Sequence, residues 1–217
     1  MKYKTVALYE VADWKNGLAF RNIEFSNSGV PVIKIAELKN GITGQTKFTQ
    51  QIYDDSVRLS PGDMLFSWSG NPDTSIDVFL YELPDGWLNQ HIFKVTPKSI
   101  IDKEYLYYLL KNLKTQFSAI ASNKQTTGLG HVTVKDLKEI QIQLPDICYQ
   151  KKAISILSAL DKKIAINKAI NKNFTGLRLK AAAAAAATSS DYIFTCETSI
   201  SPDINLGSKA SRIAAKR

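Results

Sequence analysis

The chain has 217 residues, 44% of them apolar, which is enough for one good-sized domain with a proper core, or one domain and an appendage. A net charge of +8 favours a polyanionic partner. No run reaches the length of a membrane span and the opening MKYKTVALYE lacks the apolar stretch of a secretion signal, so a soluble, cytoplasmic protein with no membrane partner is expected. Cys148 and Cys196 lie far apart without CxxC spacing or a His/Cys cluster, which argues against a disulfide framework and against a zinc site.

Residues 1–100 read as mixed and β-rich. VPVIKIAEL (30–38) is β-branched with a proline near its start, and VRLSPGDMLFSWSG (57–70) holds a strand pattern around the turn Ser60-Pro61-Gly62-Asp63. The apolar runs of IDVFLYELPDGWLNQHIFKVTP (76–97) flank Leu83-Pro84-Asp85-Gly86, which predicts a hairpin. Residues 102–121 switch to helical spacing, with Asp102 as N-cap and Tyr105, Leu106, Leu109, Leu110, Leu113, Phe117 and Ile120 on the apolar face. A polar loop, SNKQTTGLG (122–130), follows. The glycines at 128 and 130 point to tight backbone geometry there. A helical turn over 134–138 then leads to a strand carrying Ile140, Ile142 and Leu144, which Pro145 ends.

From Asp146 to about Phe174 the period is helical again, uninterrupted until Gly176. One seam takes Ala153, Leu157, Leu160, Ile164, Asn167, Asn171 and Phe174, and Ile154, Ile156, Ile166 and Ile170 widen the apolar surface. Such a heptad seam buries against another helix, and asparagines in it fix register at a cost in stability. The other packing open to this helix is onto its own domain. About 29 residues at ~1.5 Å each make a rod of roughly 40 Å. Residues 146–180 carry eight Lys/Arg against two Asp, so most of the net charge lies here. The alanine run and tail beyond have no sustained period. The expected organisation is a domain over 1–145, a spacer and dimerisation helix over 146–175, and a low-complexity or unassigned tail over 176–217.

Several pieces, in order, resemble the specificity subunit of type I DNA restriction-modification systems. They are VALYEVADWKNG (6–17), LSPGDMLFSWSG (59–70), GWLNQHIFKVTP (86–97), IDKEYLYYLLKN (101–112), TTGLGHVTVKDLKEIQIQLP (126–145) and YQKKAISILSALDKKIAINKAIN (149–171). The resemblance implies an α+β fold, in which a mixed, β-rich target recognition domain precedes a long helix that forms an antiparallel coiled coil. It implies a non-catalytic subunit in which each recognition domain reads one half of a bipartite double-stranded DNA target. The expected partners are a methyltransferase subunit that modifies adenine and an ATP-driven restriction subunit. No cofactor is expected on this chain, since S-adenosylmethionine, ATP and Mg would bind those partners. The family's usual subunit carries two recognition domains and two helices, whereas this chain has room for one set. A half-subunit that homodimerises, or a fragment, is expected. The family's LPPLxEQ stands here as LPDICYQ (144–150), without one proline and the glutamate.

The residues themselves offer no catalytic constellation. Gly128-Leu129-Gly130 lacks the spacing of a cofactor-binding glycine loop, and Asn71-Pro72-Asp73-Thr74 lacks the second proline and the aromatic residue of an adenine methyltransferase loop. Pro145-Asp146 with Asp161-Lys162-Lys163 matches a nuclease pattern only formally, since its second half falls on a solvated helix face. DNA affinity is expected from cations on phosphates, and specificity from amides and hydroxyls on base edges. The candidates are Lys15, Asn16 and Arg21 in one loop, and Lys39, Asn40 and Lys47 in a second. Ser67, Ser69 and Asn71 form a third group, and Lys124, Gln125, Thr126, Thr127 and His131 a fourth. Asn89 and Gln90 read as structural, and Trp68 and Trp87 as core or rim. For dimerisation the candidates are Leu157, Leu160, Ile164, Asn167 and Asn171. Two rival readings stand beside this one: the recognition domain of a fused restriction enzyme-methyltransferase, and a coiled-coil interaction protein with no DNA role.

Overall fold

The computed structural model describes residues 3–20, 25–125 and 128–197. The first half holds strand β1 (Tyr3–Ala7), β2 (Ala12–Asn16), β3 (Val30–Ile33), helix α1 (Ile35–Asn40), β4 (Phe48–Thr49), β5 (Arg58–Leu59), β6 (Met64–Ser67), β7 (Ser69–Gly70), β8 (Asp77–Leu80), β9 (Gly86–Leu88) and β10 (Ile92–Pro97). Helices α2 (Lys103–Asn112) and α3 (Lys114–Asn123), strand β11 (Gly130–His131), α4 (Val134–Glu139), β12 (Gln141–Pro145) and α5 (Ile147–Glu197) follow. Short 3₁₀ turns at Leu8–Val11 and Asp55–Val57 precede β2 and β5. The chain divides into two compact units between Ser158 and Ala159.

The first unit is organised by one antiparallel sheet in the order β2-β10-β6-β8. Successive side chains of a strand point to opposite faces, so the sheet can serve two cores. Met64, Phe66, Val78, Phe93 and Val95 belong to one core together with Leu106, Leu110 and Phe117 of the helices. Leu65 and Ile92, from the intervening positions, belong to a second core with Ile33, Leu59, Trp87 and Leu88. The second core is closed by a smaller sheet, β4-β3-β9-β5, in which β3 and β9 run parallel. Trp14 on β2 meets Phe66 and Phe93 edge-on, with ring centroids 5.9 and 6.1 Å away.

The hairpin expected over 76–97 does not form. β8 pairs with β6, and the Leu83–Gly86 turn carries the chain across to the small sheet, where β9 pairs with β3 and β5. β10 then returns to the large sheet between β2 and β6. The turn residues were legible; the partner of each strand is set by which core its apolar side chains enter. Likewise VPVIKIAEL is strand only to Ile33. The Glu37 carboxylate accepts the Lys34 amide at 3.0 Å and nucleates α1 at that point. The helix expected over 102–121 is two helices that meet at Leu113. Its cap stands as expected, with the Asp102 carboxylate accepting from the amides of Glu104 and Tyr105.

β12 alternates as read, with Ile142 and Leu144 buried and Gln141 and Gln143 exposed, and it pairs antiparallel with β1 from Tyr3–Pro145 to Ala7–Gln141. Asp146 then caps α5, accepting the Tyr149 amide at 2.9 Å. Gln150 is fully buried one turn later. Its Oε1 accepts the Asp102 amide at 2.8 Å, and its Nε2 donates to the carbonyls of Ile100 at 3.2 Å and Pro145 at 2.9 Å. Ile154 is buried on the same face, which is why the opening turns of α5 belong to the first unit. The second unit is helical from Ala159 to Glu197. The helix passes Gly176, where the sequence pattern had suggested its end. One glycine costs about 1 kcal/mol, and the alanine run beyond has the highest helix propensity of any residue type.

Candidate nucleic-acid interface

At one end of the large sheet four segments converge on Trp68. Its backbone amide donates to the His91 carbonyl at 3.2 Å, and its own carbonyl accepts the Val132 amide at 2.8 Å. The indole lies on Phe93, with centroids 5.7 Å apart, and its Nε1–H donates to Asn16 Oδ1 at 3.1 Å. The imidazoles of His91 and His131 pack against the same indole, at 5.6 and 6.1 Å. Pairing of β7 with β11 sets Ser69 opposite His131, and Ser69 Oγ shares a hydrogen bond with His131 Nδ1 at 3.0 Å. Gln90 Nε2 lies 3.2 Å from His91 Nε2. Burial, and then the charge of His131, hold the His91 imidazole below its usual range.

Two glycines permit this convergence. A Cβ at Gly17 would collide with the carbonyls of Leu88 and Asn89, where the chain leaving β2 runs alongside the β9–β10 turn. The Leu18 amide donates to Leu88 O and the Gln90 amide to Leu18 O, both at 2.9 Å. A Cβ at Gly130 would collide with the Ala121 carbonyl, so only glycine lets β11 lie against α3.

The structure links Asn16, Ser69 and His131 of the sequence-derived candidates through this cluster. Lys15 and Asn16 are exposed. Lys39, Asn40 and Lys47 are exposed on the α1–β4 segment, which Thr46 pins down by donating to the buried Glu37 at 3.1 Å. At the start of α1, Ile35 Cδ1 is 4.0 Å from where a Cβ on Gly70 would sit. Ser67 lies inside the fold. It is fully buried, and its hydroxyl donates to the Ser75 carbonyl and accepts the Asp77 amide. Asn71 is exposed, but its Oδ1 is committed to a turn, accepting from Asp73, Thr74 N and Thr74 Oγ1. Lys124 pairs with the buried Asp136 carboxylate, which also caps α4 by accepting the amide and hydroxyl of Thr133. Gln125 is exposed. Arg21, Thr126 and Thr127 lie outside the described residues.

Comparison with known proteins shows the family of the chain. Residues 1–174 match the family model described as the type I restriction modification DNA specificity domain. The chain belongs to that family. The type I restriction enzyme MjaVIII specificity subunit of Methanocaldococcus jannaschii is 34% identical over 155 residues, covering 69% of this chain and 34% of that protein. The EcoBI specificity subunit of Escherichia coli is 27% identical over 167 residues, covering 76% of this chain and 33% of its own length. The chain thus spans about a third of these two relatives. Among solved structures, the HsdS subunit from Thermoanaerobacter tengcongensis shares the fold with a TM-score of 0.56 at 20% identity, over 75% of this chain and 38% of that one. The S subunit from M. genitalium does so with a TM-score of 0.53 at 15% identity, over 76% and 40%. The α+β reading and the resemblance to specificity subunits therefore hold.

In this specificity domain, His91 is the member of the cluster that the candidate set lacks, while Trp68, read from the sequence as core or rim, is half-buried. The available signal was an indole between two serines, Ser67-Trp68-Ser69, directly after the apolar strand β6. The dimerisation candidates are exposed: Leu157 at 37%, Leu160 at 51% and Ile164 at 50%, with Asn167 and Asn171 exposed as well. Ile166, Ile170 and Phe174 are exposed at 58%, 44% and 63%. Within the first unit, Leu157 lines a cavity of about 480 Å³ with Tyr105, Tyr108, Leu109, Lys111 and Asn112. Among the described residues no helix is long and apolar enough to cross a membrane.

Proposed function

We propose that this chain is the sequence-reading part of a type I restriction-modification complex in the cytoplasm, recognising one half of a bipartite double-stranded DNA target. The carrying observation is the specificity-domain match over residues 1–174, which takes in the whole first unit and the onset of the long helix. In this reading residues 1–145 recognise DNA, residues 146–175 pair with a second helix in an antiparallel coiled coil, and the tail from 176 takes no part. The exposed Leu160, Ile164, Ile166 and Ile170 support the pairing, since an apolar seam in water demands a cover. The second helix is that of another copy. A two-fold dimer presents identical reading surfaces in opposite orientations, so its target has two inverted, identical half-sites. The methyltransferase and restriction subunits dock on this assembly and bring S-adenosylmethionine, ATP and Mg, while this chain holds no cofactor.

The test is co-expression with the methyltransferase subunit in a host free of other adenine methylation, followed by mapping of modified adenines. An interrupted palindrome is expected. Modification without sequence preference, or none above background, would overturn the proposal.

A further inference from the structure

Resting on that reading of the first unit as a DNA-binding surface, we infer that His91 and His131, packed on Trp68, are phosphate contacts that take up protons as DNA binds. The geometry places two imidazoles on one indole at the sheet end, with centroids 5.6 and 6.1 Å from it. His91 is exposed and His131 half-buried, so both reach the surface that carries Asn16. Their backbones are fixed: the His91 carbonyl accepts from Trp68, and His131 sits in the β7–β11 pair. The side chains are fixed too, His131 by Ser69 and His91 by contact with Gln90. Such a pair is oriented before its ligand arrives.

The charges around the pair decide what it binds. The side chains that hydrogen-bond to the indole and the two imidazoles are Asn16, Ser69 and Gln90, all neutral, and the charge that acts on His91 is that of His131. Lys15 precedes Asn16 on β2 and so points to the opposite face of the sheet, opposite Lys94. Two neighbouring imidazoles repel when both are charged, and burial adds to that cost at His91. A backbone phosphate removes the penalty by supplying the missing negative charge. Each imidazole then gains one proton from solvent and donates an N–H to a phosphate oxygen. A group whose proton affinity is higher in the complex than in the free protein makes binding tighter as pH falls.

The experiment uses the full chain with its methyltransferase subunit and a labelled duplex of random sequence, at constant ionic strength, from about pH 8 to about pH 6, the range in which histidine titrates. The expected result is a Kd that falls as pH is lowered, by at most about tenfold per pH unit for each proton taken up. His91→Gln, which changes an exposed ring, is expected to flatten this dependence in part, and H91Q/H131Q to abolish it. Because H131Q also breaks the Ser69 contact, proton uptake by the unaltered protein is measured independently, by calorimetric titration in two buffers of different ionisation enthalpy. Net proton uptake supports the inference. DNA binding with no proton uptake, or with a pH profile unchanged in H91Q/H131Q, overturns it and leaves the recognition function standing. No DNA binding at any pH overturns the function as well.

Discussion

Gln150 is fully buried and makes three side-chain hydrogen bonds, each to a backbone group of another segment. Replacing it with alanine orphans the Asp102 amide and the carbonyls of Ile100 and Pro145, at a cost of about 2–4 kcal/mol. Urea denaturation of Gln150→Ala should show that loss with little change in slope. Sequence reading placed Gln150 in a match to LPPLxEQ but could not say what it does, because two of its partners lie about fifty residues earlier in the chain. Lys124 shows the opposite limit. A lysine in a polar loop reads as a phosphate ligand, while the structure gives it a buried carboxylate. Burial raises the carboxyl pKa of Asp136, but hydrogen bonds from Lys124 and Thr133 outweigh it, and the net shift is downward. Asp77 behaves alike: burial is outweighed by Lys114 and Lys111. A carboxyl with a lowered folded pKa stabilises above its unfolded value, about 3.9, and that stabilisation disappears as pH falls through the folded value. The urea midpoint should therefore drop on the acid side of about pH 4. In an Asp77→Asn, Asp136→Asn variant the acid limb should be shallower and the neutral-pH stability lower.

At the scale of elements, periodicity was legible and partnership was not. The cap at Asp102, the alternation of β12 and the helical repeat of α5 all follow from local residue order, which the sequence displays. The pairing of β8 with β6 instead of a hairpin, and the crossing of β9 to the second sheet, depend on which core receives Phe79, Trp87 and Leu88. That is a three-dimensional choice. The seam of α5 belongs to the same category, since its spacing predicts a covering helix without naming it. Changing Leu157, Leu160 and Ile164 to serine should yield a monomer in sedimentation equilibrium. The melting transition of the first unit should be little altered, because these positions are already 37%, 51% and 50% exposed. A dimer that survives all three changes would remove the helix from the interface.

For the molecule as a whole, net charge of +8 is the property that sequence and function share most directly. Lysines that neutralise phosphates release counterions, and the logarithm of affinity falls with the logarithm of salt concentration by about 0.9 per phosphate contact. Lys39→Ala and Lys47→Ala, both at exposed positions on the pinned α1–β4 segment, should each weaken binding to all duplexes. Each should also reduce the salt slope by roughly one. Titrations that superimpose on the unaltered protein would exclude that segment from the interface. Lys124→Ala is a poorer probe, because loss of the Asp136 pair affects folding along with any contact to DNA.

The antiparallel zipper of β1 with β12 has an architectural consequence. It brings Tyr3 and Pro145 side by side, so the two ends of the 3–145 segment lie at neighbouring points. A unit with adjacent doors can be duplicated or exchanged within a longer polypeptide without rebuilding its interior. Swapping one such segment for another then demands joining two strand ends to new connectors, with the Gln150 turn of α5 carried along.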